Sequence, residues 1–396
     1  MLPADILDHI LYFTENPVIE LCKVSKYFNN NVKQIRITSN KDYPKMRTRN
    51  LRLLPNITEL DLSKNQPIIN KGIRDLKYLT SLNLWGSDQI SDPGIHNLFS
   101  LKELVLCHNT MITNQGIVNL TNLTKLDLQC NYKITNIDSL TALTTLLLND
   151  KVIDISRLTN ITELDLLHSN IDNLPFLPNL VKLTPNDKIR NEEIKKLIGL
   201  TSLKLIDAGV INNEGISSLT SLTHLDLTSD TIIGNDGIAD LINLKKLLLD
   251  PFCSRIDGQS ISRLTNLTEL QSGINVNDNS ISILTKLTKL IINRGNITSA
   301  GIVGLTNLQT LRIINNDNVT DGGLENLINL TELKLRQTAI TDNGIADLTN
   351  LKTLEIVGKH RISDCGIEDL TNLTNLSYSG DTKITIKGTE HLKYLK

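Results

Sequence analysis

The feature that most constrains this chain is a short phrase that never stops recurring. Residues 101–122 read LKELVLCHNTMITNQGIVNLTN, with Leu101, Leu104 and Leu106 spaced as L-x-x-L-x-L and Ile112, Ile117 and Leu120 following. The phrase starts again at Ile57, Leu79, Leu123, Leu143, Ile161, Leu180, Leu200, Leu222, Leu244, Leu267, Leu287, Leu308, Leu330, Leu351 and Leu373, mostly at intervals of 20 to 23 residues. One such unit has too few apolar side chains to bury its own face, so it must stack on copies of itself. A long binding surface follows from that before any residue suggests chemistry.

With Asn109 where an asparagine or cysteine is wanted, the phrase resembles the leucine-rich repeat. The composition fits: 40% of residues are apolar but only 3% aromatic, as aliphatic rungs require. The expected class is α/β, a leucine-rich-repeat solenoid of about 16 repeats over residues 57–396. A curved parallel sheet would line the concave face and short helices the convex face. Asp92-Pro93-Gly94-Ile95, Asp342-Asn343-Gly344-Ile345 and Asp364-Cys365-Gly366-Ile367 read as an Asp cap and the start of a helical turn. Val32, Ile35 and Ile37 suggest a partial first rung. From 137 to 200 the pattern is irregular. Intervals fall to 18, 19 and 20, Pro175, Pro178 and Pro185 cluster, and Thr184-Pro185 stands where the Leu180 rung wants its third apolar residue. A kink in one continuous solenoid is expected there. The final rung, with no cap after Leu395-Lys396, is expected to fray or to meet another molecule.

The first 40 residues follow another pattern. Pro3 suits a first helical turn, and Ile6, Leu7, Ile10 and Leu11 share one face. Asn16-Pro17 ends that helix. Val18, Leu21 and Val24 begin a second, and Ser25 caps a third carrying Phe28 and Val32. The wording Leu2-Pro3-x-Asp5-Ile6-Leu7-x-x-Ile10-Leu11, then Leu21-x-x-Val24-Ser25-Lys26-x-Phe28-Asn29, resembles the F-box, over residues 2–37. The I-T-D-x-G-I wording is likewise similar to the repeats of F-box/leucine-rich-repeat proteins. The resemblance implies docking on a Skp-type adaptor and, through it, a cullin ubiquitin ligase. Leu2, Pro3, Ile6, Leu7, Ile10, Leu11, Leu21, Val24 and Phe28 would be adaptor-facing or structural. Residues 41–56 read as a basic connector and first-rung cap. The other reading is a leucine-rich-repeat scaffold or inhibitor whose N-terminal helices merely cap the solenoid.

Other classes find little purchase. A formal net charge of -2 gives no reason to seek nucleic acid or anionic membrane. No apolar run approaches the length of a membrane span, and MLPADILDHILYF lacks the parts of a signal peptide. The five cysteines form no C-x-x-C pair, so neither a disulfide framework nor a zinc finger is expected. Sequons such as Asn122-Leu123-Thr124 follow from the LTNLT wording and would stay unmodified without secretion. No motif for phosphate binding, metal hydrolysis or nucleophilic catalysis occurs. No catalytic residue, metal or cofactor is therefore expected. Cys107, His108 and Cys130 lie on adjacent rungs but read as ladder positions, not ligands. A cytoplasmic or nuclear location is expected. The Asn-, Ile- and Lys-rich wording looks like repeat proteins of amoebae and their large DNA viruses, in which case the adaptor and cytoplasm would be a host's.

Strand side chains alternate, so the third, fifth and seventh residues of each rung should face outward on the concave side. From Ile57 through Ile161 these include Glu59, Asp61, Glu103, Asp127, Glu163 and Asp165 against Lys125. From Leu287 through Leu330 they include Lys289, Arg312, Lys334 and Arg336 against Glu332. Val105, Leu147, Leu167, Ile206, Leu248 and Ile291 add apolar breaks. The single tryptophan, Trp85, belongs to the same set, and tryptophan is enriched at binding hot spots. A protein substrate would be held by Trp85, Asp127, Leu147, Asp165, Lys289, Arg312, Lys334 and Arg336. The expected function is substrate recognition for a Skp–cullin–F-box ubiquitin ligase, with no catalysis by this chain.

Overall fold

A computed structural model describes residues 34–36, 48–51, 56–64, 68–148, 153–206, 208–229, 232–380 and 383–395. The helices expected around Leu2, Pro3, Ile6, Leu7, Ile10, Leu11, Leu21, Val24 and Phe28 lie outside the described residues. The chain divides into two compact units, Met1–Asn186 and Asp187–Lys396. Among the described residues no helix is long and apolar enough to cross a membrane.

In the first unit, β1 (Gln34–Arg36), β2 (Glu59–Asp61), β3 (Ser81–Asn83), β4 (Glu103–Val105), β5 (Lys125–Asp127), β6 (Thr145–Leu147), β7 (Glu163–Asp165) and β8 (Lys182–Thr184) pair in chain order, all parallel. The register never slips. Leu60, Leu82, Leu104, Leu126, Leu146, Leu164 and Leu183 stand opposite one another along the sheet. Counting from each rung's first apolar residue, positions one, four and six fill the core; Leu101, Leu104 and Leu106 are all 0% exposed. The second unit repeats the plan with β9 (Ser202–Lys204), β10 (His224–Leu227), β11 (Lys246–Leu249), β12 (Glu269–Gln271), β13 (Lys289–Asn293), β14 (Thr310–Asn316), β15 (Glu332–Thr338), β16 (Thr353–Val357) and β17 (Asn375–Ser379). This is a leucine-rich-repeat solenoid fold.

Polar side chains tie the rungs together at fixed positions. The eighth residue turns the chain in the left-handed region: Lys64, Gly86, His108 and Cys130 in the first unit, Arg294, Asn315, Gln337, Gly358 and Gly380 in the second. That turn aims its N–H at the next rung, as from Gly86 to the Cys107 carbonyl at 2.9 Å. The ninth residue is buried at Ser87, Asn109 and Asn131 in the first unit and at Asn316 and Thr338 in the second. Asn109 donates to the Ser87 carbonyl at 2.6 Å, and its Oδ1 accepts the Met111 and Ile112 N–H groups, both at 3.0 Å. Asn131 donates in turn to the Asn109 carbonyl. Cys107 and Cys130 therefore miss the ladder position expected for them: they occupy the seventh and eighth places, and the asparagines take the ninth. The LTNLT wording has its own role. Asn122 donates to the Phe99 carbonyl at 2.8 Å and Thr124 to that of Lys102 at 3.1 Å, a pattern repeated at Asn243, Asn307 and Asn372.

The helical turns correct another expectation. Ser91, Thr341 and Ser363, not the aspartates, occupy the N-cap positions. Asp92 instead reaches to the following repeat, where its carboxylate accepts the Thr113 N–H at 2.8 Å and the Thr113 hydroxyl at 2.6 Å. Asp278, Asp321, Asp342 and Asp364 do the same. The glycine two places into the next turn follows from this. A methyl on Gly94 would lie 2.6 Å from Asn70 Oδ1, and one on Gly344 2.5 Å from Asp321 Oδ1. Where the preceding side chain is itself missing, at Gly258, the following turn accommodates Ser280.

The irregular stretch is resolved in these terms. Between Ile117 and Asn191 no helix occurs among the described residues. The Leu180 rung is filled at its sixth position by a buried Pro185. Equivalent residues, such as Leu106 and Leu128, donate their N–H to the next strand; a proline has none to give. The first unit ends one residue later. At the other end, Thr48–Leu51 forms a helical turn within the expected connector, with Leu51 0% exposed. We expect Asn109→Ala to lower the stability of the fold by about 1–3 kcal/mol, because it leaves buried backbone groups unpaired. Asn122→Ala, on the exposed ladder, should cost less; denaturant titration of both variants measures the difference.

Candidate functional site

The strands present the face that the alternation demands. In β2, β4 and β5 the third residue is exposed, the fourth buried and the fifth half-buried. Each unit thus carries three parallel columns of outward side chains, one per rung, spaced by the distance between strands.

In the first unit the fifth-position column runs Asp127, Leu147, Asp165 across β5, β6 and β7. The carboxylates are not free-standing. Asp61, Asp127 and Asp165 each accept the N–H two residues on, at Ser63, Gln129 and Leu167, all at 2.9 Å. Asn83 does the same for the Trp85 N–H. This bond shapes the bend leaving each strand, so an acidic fifth residue has a structural task beside any binding one. Burial raises the Asp127 carboxyl above its ordinary value and Asp165 adds to it, against the pull of the Gln129 N–H and Lys125.

Trp85 lies on the seventh-position column and is half-buried. Lys64 Nζ sits over its ring, 4.2 Å from the centroid, and the His108 ring meets it edge-on at 6.5 Å. Trp85 also hydrogen-bonds the Cys107 thiol, but burial, Asp127 and Cys130 outweigh that contact and push the thiol up to about 11. Cys107 is therefore a poor nucleophile at neutral pH. Lys64 escaped the sequence reading, and His108 entered it only beside Cys107 and not as a neighbour of Trp85, because nothing in a non-glycine residue announces a left-handed turn. Among the described residues no group of three or more His, Cys, Asp or Glu side chains could hold a metal ion.

In the second unit the expected basic residues divide. Lys289 shares Glu269 with Lys246, at 4.0 and 3.2 Å. Lys334 lies between Glu332 at 3.0 Å and Glu355 at 3.4 Å, and those contacts raise its pKa, Glu332 foremost. Arg312 and Arg336 are exposed and form no ion pair among the described residues. Register sets Arg312 beside Ile291 and Lys334, and Arg336 beside Ile314 and Val357. Of the eight expected binding residues, Trp85, Asp127, Leu147 and Asp165 belong to the first unit, and Lys289, Arg312, Lys334 and Arg336 to the second.

Comparison with solved structures agrees with the fold. TLR13 in complex with ssRNA13 is 18% identical, with a TM-score of 0.52, over 91% of this chain and 75% of that one. The leucine-rich-repeat protein LIC12759 of Leptospira interrogans is 23% identical, with a TM-score of 0.48, over 97% and 98% of the two chains. An internalin from Listeria monocytogenes is 26% identical, with a TM-score of 0.45, over 78% and 88%. No protein-family model matches the sequence, and no curated protein does.

The raised Asp127 pKa gives a signed expectation. Its charged form is disfavoured in the folded state, so a destabilising contribution is absent below the unfolded-state pKa and complete above the folded one. Asp127→Asn keeps an acceptor for the Gln129 N–H and removes the charge. It should raise the urea midpoint at pH 7, with the gain vanishing under acid conditions.

Proposed function

We propose that this chain is the substrate-recognition subunit of a Skp–cullin–F-box ubiquitin ligase. The observation that carries the binding half is the outward strand face. In the first unit its side chains set an aromatic anchor, Trp85, beside apolar and acidic residues; in the second, the exposed Arg312 and Arg336 stand in register with half-buried isoleucines. Extended repeat surfaces of this kind hold proteins without a catalytic pocket. The F-box resemblance of residues 2–37 supports the other half, with Leu2, Pro3, Ile6, Leu7, Ile10, Leu11, Leu21, Val24 and Phe28 facing the adaptor. Trp85, Asp127, Leu147, Asp165, Lys289, Arg312, Lys334 and Arg336 hold the substrate. The chain adds no reactive group: it raises the local concentration of the substrate's lysines at the conjugating enzyme. A cytoplasmic or nuclear setting belongs to this reading.

Capture of a purified Skp-type adaptor by the full chain tests the first half. Wild type should retain the adaptor, and Leu7→Asp or Ile10→Asp should abolish retention while the circular dichroism of the repeats is unchanged. No capture by wild type, or unfolding of the repeats by either variant, would favour a helical cap without a link to ubiquitin. For the second half, Arg312→Glu with Arg336→Glu should deplete co-purifying partners identified by mass spectrometry. An unchanged partner set would count against the face.

A further inference from the structure

The outward face of the second unit is more selective than a basic patch. From β11 to β16 the outward lysines are spoken for: Lys246 and Lys289 by Glu269, and Lys334 by Glu332 and Glu355. Lys334 bridges those two glutamates, which stand on β15 and β16. Arg312 and Arg336 are left with the uncompensated charge, and they stand on β14 and β15, whose seven residues each make them longer than their neighbours β13 and β16, at five. Each lies in register with a half-buried isoleucine, Ile291 or Ile314.

From these placements we infer that the outward face of β14 and β15 binds an extended acidic segment of a partner protein, two carboxylates seated on Arg312 and Arg336. The inference rests on reading this face as a protein-binding surface and names what it takes. Arg312 is the fifth residue of its rung and Arg336 the seventh of the next, one strand over and two residues along. With strands about 4.8 Å apart and a rise of about 3.3 Å per residue, their Cα atoms lie about 8 Å apart. Acidic residues at i and i+2 of an extended peptide point to one side about 7 Å apart, within reach of two long arginine side chains. Guanidinium forks suit carboxylates because each gives two parallel N–H donors in one plane, which a lysine cannot.

The test is fluorescence anisotropy with the full chain and a labelled extended peptide bearing Glu at i and i+2 around a Val. Its counterpart bears Gln at both positions. The acidic peptide should bind at least about tenfold more tightly, and Arg312→Gln or Arg336→Gln should each weaken it about tenfold or more. Lys334→Gln, which leaves the Glu332 and Glu355 carboxylates uncompensated on the face the acidic peptide meets, should weaken it too. Equal binding of both peptides, or indifference to the arginine variants, overturns the inference. So does tighter binding of a single-stranded RNA oligomer at the same arginines. If partners still co-purify through this face while the acidic peptide fails, the segment class is wrong and the protein-binding reading stands. If neither binds, that reading fails with it.

Discussion

The fold depends on rungs lying flat against one another. A single repeat would leave Leu101, Leu104 and Leu106 against water, yet each is fully buried because like residues stack on both sides. Burial of a leucine contributes on the order of 1.5–3 kcal/mol, so the aliphatic columns supply the bulk of the driving force. They do not by themselves fix the register, since leucine packs on leucine with some tolerance. The hydrogen bonds do. A buried Asn109 that finds the Ser87 carbonyl and two following N–H groups has one acceptable alignment. A slip would strand polar groups in a dry interior.

Much of this was legible in the sequence, because the repeat writes the same physical requirement many times over. Rung starts, buried positions and the outward set all follow from the spacing of leucines. Less legible was what the polar letters do. The Asp of I-T-D-x-G-I has the look of a helix cap, and only three dimensions show its carboxylate on the Thr of the next repeat. The Asn of LTNLT reads as a sequon but serves as an inter-rung donor. Pro185 looks like a missing apolar residue, whereas its ring fills the sixth position and what is lacking is its N–H. Leu51 lay in a stretch read as connector because its partners are remote in sequence.

The same holds for the candidate site. The outward charges differ in state, since pairing depends on which neighbours on the same and adjacent strands meet each of them. Lys334 and Arg312 look equivalent in the sequence. In the fold one is held by two glutamates and the other is open to solvent. Likewise Asp127 reads as a surface acid, while its N–H acceptance and burial make it part of the bend leaving β5.

The fit between an acidic side chain in one turn and the bare glycine of the next has an evolutionary corollary. Where a copy carries both the filler and the gap, as with Asp342 and Gly344, excising or duplicating one whole period rejoins a filler to a gap, and the spliced product packs without a second change. A crossover out of phase by a residue brings bulk against bulk. Stretches of such repeats can therefore lengthen or shorten by genetic recombination in unit steps, filler meeting gap at each new junction.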